Sequence, residues 1–222
     1  MCKLKYKLNY IDKIWPEEEP TDDIIFGRLV HKAAEIYEPE KDNKKEIVKI
    51  VRDFPKLGKD YKRLIGSTYK SVIEFLKRHT NPAEKELHLN YAFENFTITG
   101  YVDRLIDNEK TYTCVDYKTS KNATLKWHIF QLKFYNLLIS KKYNINPSKI
   151  KMMLYFPRPD QEEKKLFSKK EIDLFEEELK AKVVEIESNT NWEPEPGYHC
   201  KWCPFFEKKE CSATYKEKQI IS

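Results

Sequence analysis

Asp116 and Lys118 stand two residues apart in the run Val115-Asp116-Tyr117-Lys118, and Asp103 precedes them in Gly100-Tyr101-Val102-Asp103. A strand sends alternate side chains to one face, so Asp116 and Lys118 should project together. The intervening Asp107-Asn108-Glu109-Lys110 reads as a turn that would fold the two runs into a hairpin and carry Asp103 to the pair. Two carboxylates beside a lysine suit a divalent cation and an attacking water, which is equipment for hydrolysing a phosphodiester. Mg²⁺ and Mn²⁺ take hard oxygen ligands and leave positions for substrate phosphate and water. Asp103 and Asp116 are therefore the expected acidic ligands, with the backbone carbonyl of Tyr117 as a further one. Lys118 would orient or help deprotonate the water, or stabilise charge in the transition state. Taken alone, Asp-x-Lys is a common triplet, and an ordinary amphipathic hairpin would contain it equally well.

The elements that would position these residues follow from periodicity. Thr21-Asp22-Asp23 reads as a helix start, with the helix running to about Tyr37, and a second helix is expected over 61–78. Residues 40–59 are charged and irregular, a short helix and a connection. The period then changes. Leu87, Leu89, Tyr91 and Phe93 alternate, as do Phe96, Ile98, Gly100 and Val102 after a turn at Glu94-Asn95, and Thr111–Lys118 makes a third strand. A long helix is expected from about Thr124 to Ser140, a fourth strand over Ile150–Phe156, and a last helix after the Ser168/Glu171 capping box. This order predicts an α/β fold: a central mixed β-sheet flanked by helices. Trp192-Glu193-Pro194-Glu195-Pro196-Gly197 reads as a linker, so the expected division is a core over 1–190 and a cysteine-rich tail over 191–222.

The 222 residues carry a net charge of +5, but the distribution says more than the sum. From Lys118 to Arg158 there are eight lysines, one arginine and no acid, so that block is +9 and the rest of the chain −4. A field of this kind attracts a polyanion, and the block begins at the Asp-x-Lys element. Trp127, Phe130 and Phe134 inside it could stack on bases, although packing on the helix is the plainer reading. No apolar run approaches a membrane span and no signal segment opens the chain, so a cytoplasmic protein is expected. The sequence has no Gly-x-x-x-x-Gly-Lys-[Ser/Thr], and any helicase motor would be a separate protein.

Further residues extend the constellation. His31 lies four residues after Gly27, Glu86 opens the first strand, and Gln131 and Tyr135 are one helical turn apart after Lys118. The order Gly-x-x-x-His, Glu, Gly-x-x-Asp-Arg, Asp-x-Lys-Thr, Gln-x-x-x-Tyr resembles the RecB-like branch of the PD-(D/E)XK nuclease superfamily, over nearly the whole chain. The resemblance implies a restriction-endonuclease-like core and a Mg²⁺- or Mn²⁺-dependent deoxyribonuclease acting on single strands or free ends. It further implies that His31, Asp103 and Asp116 hold the metal and Lys118 is the catalytic lysine. Gln131 and Tyr135 would contact DNA and support the site. Small single-domain analogues are the CRISPR-associated RecB-like exonucleases and related phage or bacterial proteins, and the resemblance implies DNA as partner and a setting in recombination, repair or spacer processing, with a helicase or adaptation complex and a homo-oligomer as candidate associations. A binding module that holds nucleic acid without cutting it is the alternative.

Cys200-x-x-Cys203 followed by Cys211 is a metal-binding spacing rather than a disulfide framework. Three thiolates need a fourth ligand. Cys114 alternates with Asp116 in a strand and reads as a small buried filler, which leaves Cys2 or the neighbouring His199. In the resembling nucleases an N-terminal cysteine ahead of a Lys-Tyr-rich segment joins three C-terminal ones around a 4Fe–4S cluster. The resemblance therefore implies Cys2, Cys200, Cys203 and Cys211 as cluster ligands, with zinc as the alternative occupant.

Overall fold

The switch from helical to alternating periodicity is carried through faithfully by the backbone. The computed structural model describes residues 2–16, 19–52, 58–207 and 211. Helix α1 (Lys3–Tyr6) continues into a wider π turn over Lys7–Ile11. Helix α2 (Asp22–Ile36) is capped by Thr21, whose hydroxyl accepts from the Ile24 N–H, and two acids complement its first turn. The irregular stretch after it contains α3 (Lys44–Arg52); residues 53–57 lie outside the described residues. Helix α4 (Lys59–Arg78) follows.

Five strands form one sheet in sequence order: β1 (Ala83–Ala92), β2 (Thr97–Asp107), β3 (Tyr112–Tyr117), β4 (Ile150–Phe156) and β5 (Gln161–Lys165). β1–β2, β2–β3 and β4–β5 are antiparallel, while β3 and β4 are parallel. A parallel neighbour requires a crossover, and α5 (Ile129–Tyr143) supplies it, entered through a 3₁₀ turn over Leu125–His128 rather than as one helix from Thr124. Helix α6 (Lys169–Glu187) starts at the expected capping box: Ser168 N–H donates to Glu171 Oε2 at 2.7 Å and Glu171 N–H returns to Ser168 Oγ at 3.2 Å. A short helix, α7 (Pro204–Glu207), lies in the cysteine-rich segment. The strand β5 is an addition to the sequence expectation. Its Gln-Glu-Glu-Lys-Lys sequence has no apolar face, as befits an edge strand shielded by charge.

The core sits between α2, α4 and one face of the sheet. Phe26, Leu29, Val30, Ala33 and Ala34 form the apolar stripe of α2, and Val72, Phe75 and Leu76 that of α4. Both pack on Ile106, Val115, Tyr117, Met153 and Tyr155. Each fully buried large side chain contributes about 1.5–3 kcal/mol, enough to fix both helices on the sheet. Helix α5 lies against β1, β2 and β4. Its approach is close at Gly100: a Cβ there would stand 3.1 Å from Leu138 and 3.3 Å from Phe134 and Tyr135.

The chain divides into two compact units. Pro20–Glu178 holds the sheet and α2–α5, while Met1–Glu19 joins Leu179–Ser222 in the other. The cysteine-bearing unit thus takes in the end of α6 and the N-terminal segment. Among the described residues, no helix is long and apolar enough to cross a membrane.

Candidate active site

Four elements meet at one end of the sheet. Gly27 and His31 share a face of α2, and a Cβ on Gly27 would lie 3.6 Å from Thr119, in the chain just beyond β3. That places His31 over the end of β3, next to the stripe that buries α2. Asp103 comes from β2, Asp116 from β3, Lys118 from the residue after β3 ends, and Gln131 and Tyr135 from α5.

The β2–β3 ladder pairs residues only as far as Arg104 with Val115. One residue further on, Asp103 substitutes its side chain for the missing backbone partner: Oδ2 accepts from the Tyr117 N–H at 2.7 Å. Its other oxygen, Oδ1, lies 3.3 Å from His31 Nδ1. The Tyr117 ring is buried in the core on the α2 side, so its neighbours Asp116 and Lys118 face α5, on the common side that alternation predicts. Lys118 Nζ stands 2.6 Å from Asp116 Oδ2. The contact is ionic rather than a directional hydrogen bond, and Oδ2 is a buried oxygen with no hydrogen-bond donor of its own.

Gln131 ties the pair together. Its Nε2 donates to Asp116 Oδ1 at 3.1 Å and to the Tyr135 hydroxyl at 3.0 Å, while its Oε1 accepts from Lys118 Nζ at 2.9 Å. A carboxylate only accepts and an ammonium only donates, so this network fixes the amide orientation. The four-residue spacing of Gln131 and Tyr135 is what lets one turn of α5 brace the site.

Glu86 joins His31 and Asp103, with one ligand atom from each lying within 4.8 Å of the others. It is the fourth residue of β1, not its first, and sits opposite Asp103 at a pairing the β1–β2 ladder skips. Its φ is 46°, a left-handed conformation that a non-glycine residue rarely adopts. Sequence spacing singled out Glu86 without assigning it to the metal. The skipped pairing, which sets it beside His31 and Asp103, leaves no local sequence signature.

The electrostatics are those of a site short of positive charge. Burial, reinforced by Asp103, pushes the Asp116 carboxyl from 3.8 up to about 6 against the pull of Lys118. Burial and Asp103 likewise raise Glu86. For His31, burial works against the charged imidazole, but the hydrogen bond and charge of Asp103, with Asp116 and Glu86, outweigh it and hold the pKa above its ordinary value. A buried carboxylate oxygen met only by the ammonium of Lys118, a histidine whose pKa is held up by a neighbouring acid, and crowded carboxylates together fit a cation. The donor set, mainly hard oxygen with one imidazole, suits Mg²⁺ or Mn²⁺.

The cysteines occupy a separate place, in the other unit. Cys2, Cys200, Cys203 and Cys211 line one cavity together with Leu4, Leu8, Phe205 and His199. Cys2 Sγ accepts from the Glu195 N–H at 3.3 Å and Cys200 Sγ from the Gly197 N–H at 3.4 Å. Both candidates for a fourth ligand, Cys2 and His199, therefore reach the cavity. Cys114 is fully buried in β3, beside Asp116 and in the other unit.

A parallel-crossover sheet with two acids and a lysine at the open end of its central hairpin defines a nuclease-type fold. The chain matches the model of the PD-(D/E)XK nuclease superfamily over residues 1–207, and it belongs to that superfamily. The crystal structure of a proposed exonuclease from Eubacterium rectale is similar, with a TM-score of 0.56 at 11% identity, over 96% of this chain and 83% of that one. The crystal structure of SSO0001 is 20% identical over 95% of both chains, with a TM-score of 0.40. Comparison with curated proteins gives no match.

Proposed function

We propose that this protein is a Mg²⁺- or Mn²⁺-dependent deoxyribonuclease of the RecB-like branch, acting as an exonuclease on single-stranded DNA or DNA ends. The observation that carries the reading is the convergence of His31, Asp103, Asp116, Lys118, Gln131 and Tyr135, dispersed over a hundred residues, on one end of the sheet. A divalent ion held by His31, Asp103, Asp116 and the Tyr117 carbonyl would supply Lewis-acid charge to the phosphodiester. The protein's own part is positioning. Asp103 locks the end of β3 through the Tyr117 N–H. Gln131 holds Lys118 beside Asp116, so the ammonium stands ready for the charge that develops on the phosphoryl oxygens. The lysine-rich stretch after Lys118 would draw in the polyanion.

We further propose that Cys2, Cys200, Cys203 and Cys211 ligate a 4Fe–4S cluster. The lining supports this: four sulfurs with an apolar surround and backbone N–H groups directed at two of them, features that suit a buried cluster. Such a centre would join the N-terminal segment to the tail and stabilise that unit without taking part in hydrolysis.

Labelled single- and double-stranded DNA incubated with the protein and Mg²⁺ or Mn²⁺ tests the first proposal. Cleavage lost in both Asp116→Ala and Lys118→Ala supports it. Robust cleavage surviving in both variants overturns it, and binding without cleavage by the unaltered chain favours a non-catalytic module. An anaerobic absorption spectrum with iron and zinc analysis tests the second: a brown, iron-loaded protein supports the cluster, and a colourless zinc-loaded one replaces it with zinc.

A further inference from the structure

Trp127 and Phe130 stand out among the large apolar side chains because of where they are exposed. Trp127 is 79% exposed and Phe130 64%, in the turn that leads into α5 and in the first turn of that helix. The core packing expected for the aromatics of this stretch holds for Phe134, half-buried over Gly100, and fails for the other two. Isolated exposed apolar residues are ordinary. Two exposed aromatics three residues apart, in the turn and helix start that lead to Gln131, are a local concentration rather than a scatter.

Their setting specifies an occupant. Phe130 is held, not loose: its ring packs edge-on against buried Phe175 at 5.1 Å and stacks with Phe134 at 6.5 Å. Lys126 Nζ lies 5.9 Å from the Trp127 ring and Lys133 Nζ 5.7 Å from the Phe175 ring. No acid occurs anywhere from Lys118 to Arg158. The acids that face this stretch come from α6 and are engaged there: Glu171, whose charge senses Lys133, in the helix cap, and Glu176 with Lys141 at 2.7 Å. Flat apolar faces framed by ammonium groups complement a chain of aromatic rings with a charged backbone. A duplex hides its rings inside, whereas a single strand offers them.

We propose that Trp127 and Phe130 form a base-stacking platform for single-stranded nucleic acid, which makes the site select unpaired strands. The proposal rests on the nuclease reading for its purpose, since it determines which strand reaches Asp116 and Lys118. Distance agrees with the role. Trp127 lies about 7 Å along the helix axis from Gln131, at about 2 Å per 3₁₀ residue and 1.5 Å per α residue. That is about two stacked nucleotide steps from the side chain that braces the reacting centre.

Binding of a labelled oligothymidylate and of a blunt duplex, measured by fluorescence anisotropy in EDTA, tests the platform without turnover. A failure of the nuclease proposal would appear only in cleavage assays and leaves this measurement intact. Trp127→Ala and Phe130→Ala should each raise the single-strand Kd about fivefold or more, and leave the duplex Kd within about twofold. Trp127→Phe, which preserves a stacking face and the fold, should bind within about twofold of the unaltered protein but lose part of the tryptophan quenching caused by the oligonucleotide. An unchanged single-strand Kd in both alanine variants overturns the proposal. So does an equal loss for duplex and single strand, or full quenching in Trp127→Phe. A change in self-association with DNA binding intact reassigns the patch to a protein contact and overturns it too.

Discussion

Replacing Asp116 with Asn should make the metal-free protein more stable at neutral pH while abolishing cleavage. Asp116 is 3% exposed, and burial is the main cause that lifts its carboxyl from 3.8 to about 6. An unfolded chain releases that proton near the ordinary value. Between about pH 4 and pH 6 the folded state therefore holds more proton than the unfolded state, and stability falls as pH rises through that window. Above it the whole cost of the buried charge remains, about two pKa units or about 3 kcal/mol. Asparagine has no charge to desolvate and can still accept from Gln131, and the attraction of Lys118 is already counted in that shift, which it lowers. The net gain is then about 3 kcal/mol, or about 6–12 °C in Tm for a chain of this size. Thermal unfolding in EDTA across pH is the assay. The two proteins should melt together near about pH 4 and separate above about pH 6. Mg²⁺ should raise the unaltered protein more than the variant, which keeps His31, Asp103 and Glu86 but lacks the buried Asp116 charge that a cation would relieve. A variant that melts lower than the parent at about pH 8 in EDTA refutes the reasoning, as does a difference of equal size at both ends of the pH range.

The same site gives three more expectations. At limiting metal, kcat/KM should rise with pH through about pH 6, because Asp116 and His31 must both lose protons to accept a cation and both are held above their ordinary values; a profile flat from about pH 5 to 8 contradicts this. Gln131→Ala should lower kcat about tenfold to hundredfold in a steady-state assay, with KM for DNA little changed, since it frees Lys118 and Asp116 at once. The two motif glycines should part company in unfolding and activity measurements. Gly100→Ala drives a Cβ to 3.1 Å from Leu138 and should cost about 1–3 kcal/mol and some activity, whereas Gly27→Ala meets Thr119 at an ordinary 3.6 Å and should gain about 0.5–1 kcal/mol of helix stability with activity kept.

The parts of this fold that sequence reveals are those written in a repeating pattern. The stripe Phe26–Leu29–Val30–Ala33 declares α2, the Ser168/Glu171 pair declares the start of α6, and alternation around Val102 and Val115 declares the hairpin. What carries no period stays hidden. β5 forms because β4 offers it an edge, and its own charged residues would suit a loop equally well. The cavity that Cys2 shares with Cys200, Cys203 and His199 joins positions almost two hundred residues apart, a meeting that no spacing in the sequence declares. Alternation likewise said that Asp116 and Lys118 share a face, but not that Gln131 would hold them there.

Asp103 shows why the site needs the fold's irregularities as well as its regular elements. A continued β2–β3 ladder would give the Tyr117 N–H a backbone acceptor, with the carboxylate of Asp103 free to turn elsewhere. Because pairing stops at Arg104 and Val115, the carboxylate must accept that N–H with Oδ2, and this aims Oδ1 at His31. On the other side of β2 the ladder to β1 skips the same residue, and Glu86 takes up a left-handed φ opposite it. Both neighbours thus leave Asp103 unpaired at the one point where α2 brings a histidine across. The strain at Glu86 and the lost ladder bonds are offset by the core beneath, and the opening they leave brings ligand atoms of His31, Glu86 and Asp103 within 4.8 Å of one another.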